Sequence, residues 1–349
     1  MLSLHCFSAW DFFSRKKANK LYQTLHTKYY NALLSIGKAK NVLTEDEIYA
    51  IIRPDLIKET SYAYNIKWIE LFIALRADIK YDEVSVKNLQ TALNLLGMTR
   101  FMETRLTSGR EQDKLKVIQA ARVLNIPLAN NSMAQIVNSR YLPLRKAARS
   151  YYILTNEDDP YLFFEEKESV EDFLTWDEIE LHQLFEDCKK LGKNLPSFLP
   201  LIRQISDPKR IAFFIRETAY WGTTAELSYL TEYFNSPVPE FRQAAFEAMG
   251  IRKFADAEEE MFAGYYNQPE TLRRVILKSI LEIDSGKAIP FLEEAFLNSA
   301  SRFTKRTALQ CLWEYNEEGK STFRKLKEQA PENERILFDH VEKISGITH

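Results

Sequence analysis

Phe241-Arg242-Gln243-Ala244-Ala245-Phe246-Glu247-Ala248-Met249-Gly250 is the stretch on which the reading of this chain turns. Leu272-Arg273-Arg274-Val275-Ile276-Leu277-Lys278-Ser279-Ile280-Leu281 lies over it without a gap. Thr304-Lys305-Arg306-Thr307-Ala308-Leu309-Gln310-Cys311-Leu312 keeps the same order, as does Leu144-Arg145-Lys146-Ala147-Ala148-Arg149-Ser150-Tyr151-Tyr152. In each, an apolar residue and a cation open a run of small and apolar residues. Arg242, Arg273 and Lys305 are 31 and 32 residues apart. That period fits two helices and two turns, so a repeat of helix hairpins is the first reading.

Working outward, Asn138-Ser139, Asn235-Ser236, Asn267 and Asn298-Ser299 precede the four cations by six or seven residues. Asn or Ser at such a point can end one helix and cap the next, because its side chain satisfies backbone groups the helix leaves unpaired. The first helix of each hairpin is read from 3.6-residue spacing over 196–205, 225–234, 257–266 and 288–297. Each presents an apolar stripe that one hairpin cannot bury alone, so the array needs about three or more stacked units.

Further second helices are expected at Pro208 to Trp221, from Leu115 onward, and around Val86, Lys87 and Leu89 to Gly97. Ser321 to Gln329 and Glu332 to Ile344, parted by Pro331, read as a charged terminal pair. Thr44 with Glu47 is a capping-box signature that starts a helix at Glu45, and Leu21 to Ile36 has helical spacing of its own. Residues 156–187 carry thirteen acids against one base, Lys167, yet keep Phe163, Phe164, Phe173, Trp176 and Leu184. That is too apolar for a disordered linker and predicts helices joining two arms.

Composition agrees. Only 10 glycines and 12 prolines occur in 349 residues, which suits helices joined by short loops, and 45% hydrophobic residues are enough for a core. Cys6, Cys188 and Cys311 are odd in number and far apart, without a Cys-x-x-Cys pair, which points to a reducing compartment. No run of about 18 apolar residues occurs. Net charge is −2 but uneven, with seven bases and no acid from Phe12 to Thr44. The apolar residues Met1 to Phe13 followed by Arg15, Lys16 and Lys17 read as an amphipathic first helix, or as the cytoplasmic flank of a membrane anchor.

The order of apolar residue, Arg, two small residues and a closing Met249-Gly250 resembles the second helix of HEAT repeats, the HEAT-like and ARM-type α-solenoids, and the chain is similar to small bacterial HEAT-repeat proteins. The resemblance covers the chain from about Val84 onward. It implies an all-α fold, a superhelical α-solenoid of stacked antiparallel helix pairs. On this basis the chain divides into a basic helical segment that can lie beside a membrane (1–43), N-terminal repeats (44–155), an acidic connector (156–194), and C-terminal repeats with capping helices (195–349). Family members often carry Asp in the turn where this chain has Asn235, Asn267 and Asn298, so a charged Asp–Arg ladder is not expected.

Catalytic patterns are absent. There is no His-Glu-x-x-His, no Gly-rich phosphate loop and no Gly-x-Ser-x-Gly. His5, His26, His182, His340 and His349 are scattered, and none precedes Glu, unlike the repeated His-Glu pairs of HEAT-type di-iron hydroxylases. Neither metal nor cofactor is expected. The pairs Asp158-Asp159 and Glu165-Glu166 are adjacent residues, which do not converge on a helix. Trp68, Trp221 and Trp313 fall in helical patterns and read as core.

The expected function is a non-catalytic protein-interaction scaffold, cytoplasmic or at the cytoplasmic face of the membrane, whose second helices line a concave surface. Repeat register puts Lys146, Gln243, Glu247, Arg274, Lys278, Arg306 and Gln310 beside the buried positions, where a protein partner would touch them. The alternative is a nucleic-acid-binding solenoid similar to HEAT-like DNA glycosylases, for which residues 97–149 offer ten bases against three acids. The acidic centre and the absent Trp and Asp motif weigh against it.

Overall fold

The computed structural model describes residues 2–57, 61–80, 82–134, 136–156, 160–164 and 173–345. Among them every regular element is helical, and no strand occurs. The helices pack on neighbours in sequence order, an all-α, solenoid-like arrangement. The side chains of His5, Cys6, Arg15, Lys16 and Lys17, and the residues Asp158-Asp159, Glu165-Glu166 and His349, lie outside what is described. The chain forms two compact units, Met1–Phe163 with Ile179–Leu195, and Phe164–Glu178 with Pro196–His349.

In the first unit the helices are α1 (Leu2–Gly37), α2 (Glu45–Ile52), α3 (Tyr62–Leu75), α4 (Glu83–Leu95), α5 (Met98–Ser108), α6 (Glu111–Leu124), α7 (Asn130–Ala134) and α8 (Leu142–Thr155). Sequence spacing predicts a leading helix from Leu21; the helix in fact runs from Leu2. No helix of the described residues is long and apolar enough to cross a membrane. Leu25, Tyr29, Leu33 and Ile36 recur on one face of α1 and are buried against α3 and α4. There Tyr29, Tyr64 and Phe72 surround the buried Trp68 indole. Thr44 caps α2 as its sequence predicts, with both capping-box bonds to Glu47 formed.

Two buried side chains hold the connections of this unit. Asn88, on α4, accepts from the Leu43 amide at 2.8 Å and donates to the Ile36 and Asn41 carbonyls. Tyr151, on α8, accepts from the Leu128 amide at 2.8 Å and donates to the Ile126 carbonyl at 2.6 Å. Burial pushes its hydroxyl up to about 12, so it stays a donor at any physiological pH.

The helix α9 (Thr175–Lys190) falls inside the acidic stretch; its first residues belong with the second unit and the remainder with the first. The second unit continues through α10 (Leu199–Gln204), α11 (Pro208–Trp221), α12 (Thr224–Leu230), α13 (Pro239–Arg252), α14 (Glu258–Gly264), α15 (Glu270–Ile283), α16 (Ile289–Asn298), α17 (Arg302–Tyr315), α18 (Glu317–Gln329) and α19 (Glu332–Ser345). The first helices α12 and α14 each end in a turn of 3-10 helix. The second helices stack as a row, α11 on α13, α13 on α15, α15 on α17 and α17 on α19.

Small residues set the spacing of that row. Ala244, Ala245, Ala248 and Gly250 are buried in α13, and a Cβ on Gly250 would lie 2.9 Å from the Ser279 Cα of α15. The Phe234 and Phe246 rings stack at 4.5 Å inside the same hairpin.

The cation of the repeat has a structural task. Arg145 donates to the Ser139 carbonyl at 2.6 Å, Arg242 to Ser236 at 2.7 Å and Arg273 to Tyr266 at 2.6 Å. Each guanidinium thus reaches back over the first turn of its own helix and pins the preceding turn. Lys305, with a single-point charge, turns to Glu334 instead.

The Asn and Ser of these turns do not cap the second helices in the way their sequence positions predict. Tyr141, Val238 and Pro269 occupy the cap positions without a side-chain bond, and only Ser301 caps, through the Thr304 amide. Ser139, Ser236 and Ser299 instead accept from the amide two residues on and tighten the turn. Proline explains part of this, since Pro143 and Pro239 in the first turns of α8 and α13 have no amide hydrogen to satisfy.

Candidate functional site

The row of second helices in the second unit has one side closed by its partners and one side wet. Helical geometry brings residues three and four apart to the same face. On α13 that face carries Gln243 and Glu247, on α15 Arg274 and Lys278, on α17 Arg306 and Gln310. These are six of the seven sequence-derived candidates. Lys146, the seventh, is half-buried on α8 in the first unit.

The six differ in what they touch. Gln243 donates to Glu247 at 2.8 Å, and Glu247 lies 3.7 Å from Arg216 of α11, which also pairs with Glu178 at 3.1 Å. Gln310 donates to Glu314 at 2.9 Å. Arg274 and Arg306 flank one ring, Phe303, at 5.9 and 6.0 Å from its centroid. Arg306 also stands 3.5 Å from the His340 ring of α19. Lys278 is exposed.

Charge on this face is sorted along the helices. Near the start of α15 and α17 the face is cationic, through Arg274 and Arg306. A turn further on stand Lys278 and Gln310, and beyond them the acids Glu282 and Glu314. At the head of the row a cleft of about 310 Å³ is lined by Leu174, Glu178, Lys209, Arg216 and Gln243.

Phe303, Arg216 and His340 were not reachable by the pattern that found the others. Phe303 is the second residue of α17, ahead of the apolar-cation-small order, and its 64% exposure is a tertiary fact. A register comparison does carry a trace, because Phe303 stands 32 residues after Thr271, itself 31 after Glu240, and puts an aromatic ring where the two preceding second helices have Glu and Thr.

Groups with chemical potential elsewhere are quiet. Burial pushes the Cys188 thiol up to about 11 and the Cys311 thiol up to about 12, so neither is a thiolate at neutral pH. Desolvation holds the buried Glu258 carboxyl above the usual carboxylate range, and it accepts from the Ser285 hydroxyl. Trp68 is core, Trp221 donates to Glu217 at 2.8 Å and Trp313 packs edge-on against Phe323. Among the described residues no group of His, Cys, Asp and Glu is placed to hold a metal ion. Neither a scan against protein-family models nor a search of curated proteins returns a match for this chain.

Proposed function

We propose that this chain is a non-catalytic protein-interaction scaffold of the HEAT-like kind, working in a reducing compartment, with the wet face of α13, α15 and α17 as the partner surface. The observation that carries the reading is the register of Gln243 and Glu247, Arg274 and Lys278, and Arg306 and Gln310, which repeat side by side on a rigid, buried backing. Rigid, regularly spaced side chains of mixed charge suit recognition of an extended partner, since little conformational entropy is lost on binding.

The test is the double charge reversal Arg274→Glu with Lys278→Glu. Neither side chain forms an ion pair among the described residues, so stability should move by no more than about 0.5 kcal/mol. Capture of the native partner from the source cell should be lost relative to wild type, with an unchanged melting temperature. A folded double variant that keeps every partner overturns the proposal. A duplex-DNA gel shift that fades steeply with added salt would turn the reading to the nucleic-acid solenoid instead.

A further inference from the structure

One exposed phenylalanine on a surface is ordinary. Phe303 is unusual in its company. The Arg274 and Arg306 guanidiniums both stand about 6 Å from its ring centroid, Lys278 stands one turn beyond Arg274 on the same face, and His340 adjoins Arg306. Nearby acids are already engaged elsewhere. Glu270 takes Arg273 and the Thr304 hydroxyl, Glu334 takes Lys305, and Glu314 takes Gln310. Arg274 and Arg306 therefore stand by an exposed aromatic ring, with Lys278 a helical turn from Arg274, and no carboxylate is paired to any of the three among the described residues.

From this juxtaposition we infer that the Phe303 patch binds a short acidic peptide segment bearing an apolar side chain, a partner class that deepens the scaffold reading and rests on it. A guanidinium lying against a ring keeps its N–H edge free, and that edge fits a carboxylate with two parallel bonds. The ring supplies an apolar seat between the two forks, where an aromatic or aliphatic side chain of the peptide loses its contact with water.

Extent decides between a peptide and a nucleic acid. The cationic zone spans about two helical turns and ends at Glu282 and Glu314. Each lies one helical turn beyond Lys278 or Gln310 on the same helix face, and Glu314 accepts from Gln310. On the other side Glu247 borders Gln243. A phosphodiester backbone, charged at every step, would run onto those acids. A segment with two or three carboxylates would not.

The experiment is a fluorescence-polarisation titration of the full chain with a labelled synthetic peptide of glutamate and aspartate around one phenylalanine. Its amide counterpart, with glutamine and asparagine, and a labelled DNA duplex serve as competitors. The acidic peptide should bind, weaken with added salt, and resist both competitors. Phe303→Ala, and separately Arg274→Glu with Arg306→Glu, should each weaken it about tenfold or more at unchanged melting temperature. Phe303→Leu should recover most of the affinity, which separates a lost seat from a disturbed fold. Equal binding of the amide peptide, displacement by the duplex, no binding, or indifference to these variants overturns the inference. If the native partner is still lost on reversal of Arg274 and Lys278 while the acidic peptide fails to bind, the acidic class is wrong and the scaffold reading survives; retention of the partner removes both.

Discussion

Residues 21–95 and residues 239–315 are both built from helices packed on their neighbours and are tied together by different means. In the later region the turns before α13 and α15 are held from a few residues away, by Arg242 on Ser236 and Arg273 on Tyr266. In the earlier region the turn between α1 and α2 is held from 45 residues and more away, by Asn88 on Leu43, Asn41 and Ile36. A local tie can be copied with the repeat, since donor and acceptor travel together. A long-range tie is particular to its place, and one side chain then serves several backbone groups.

The largest expected effect breaks the earlier region. Asn88→Leu leaves the half-buried Leu43 amide without its partner and removes one bond from each of the Asn41 and Ile36 carbonyls, of which Ile36 keeps the Ala39 amide, and should cost about 3 kcal/mol in a denaturant titration. A loss under about 1 kcal/mol would mean that Asn88 is replaceable by water and the contrast is false.

The local ties come next. Arg242→Leu removes one charged hydrogen bond and should cost about 2 kcal/mol, with Arg145→Leu close behind, because the geometry is the same. Lys305→Leu, whose ammonium meets Glu334 rather than a turn carbonyl, should cost about 1 kcal/mol or less. Equal losses at all three positions would erase the distinction between Arg and Lys in this repeat.

Caps offer a control, since both compact units of the chain use the same box. Thr44 with Glu47 and Thr223 with Glu226 make identical bonds, so Thr44→Ala and Thr223→Ala should each lower stability by about 1 kcal/mol. Glu47 and Glu226 both have carboxyls held below the usual range, Glu47 by its bonds from Thr44, and Glu226, though burial raises it, by its bonds from Ser197 and Thr223. A depressed carboxylate stabilises the fold above its unfolded titration and stops doing so as pH falls through the folded one. The two threonine variants should therefore lose less, relative to wild type, in acid than at neutral pH.

The smallest effect is a gain. Arg53 and Lys253 end helices in the left-handed conformation, at φ of 49° and 55°. Glycine adopts it without strain, so Arg53→Gly and Lys253→Gly should each raise stability by about 0.5 to 1 kcal/mol. Proton exchange confined to the final turn of α2 or α13 would locate the change; a loss of stability would show that those side chains do more than end a helix.

How far the sequence could be read follows the same division. Pro208 to Trp221, the start of α2 at Glu45, the first helix ending near Leu297 and the terminal pair about Pro331 are all signalled by neighbours a turn or two away. The repeat cation was visible as a pattern, but its bond to the turn carbonyl was not, because Asn and Ser side chains offered a plausible cap that proline in the first helical turn made unnecessary. Six candidate surface residues follow from register on their helices. That Arg274 and Arg306 share Phe303, while Glu247 is drawn to Arg216, depends on which helix lies alongside.

Amino-acid order alone determined the all-helical class, the repeat length and the wet face of each second helix, since these arise from interactions within a turn or two of backbone. Tertiary structure decided that Asn88 and Tyr151 hold distant connections, that Gly250 meets Ser279, and that two guanidiniums meet at one exposed ring. Those outcomes join residues tens of positions apart, and no periodicity within a helix encodes which neighbour will arrive.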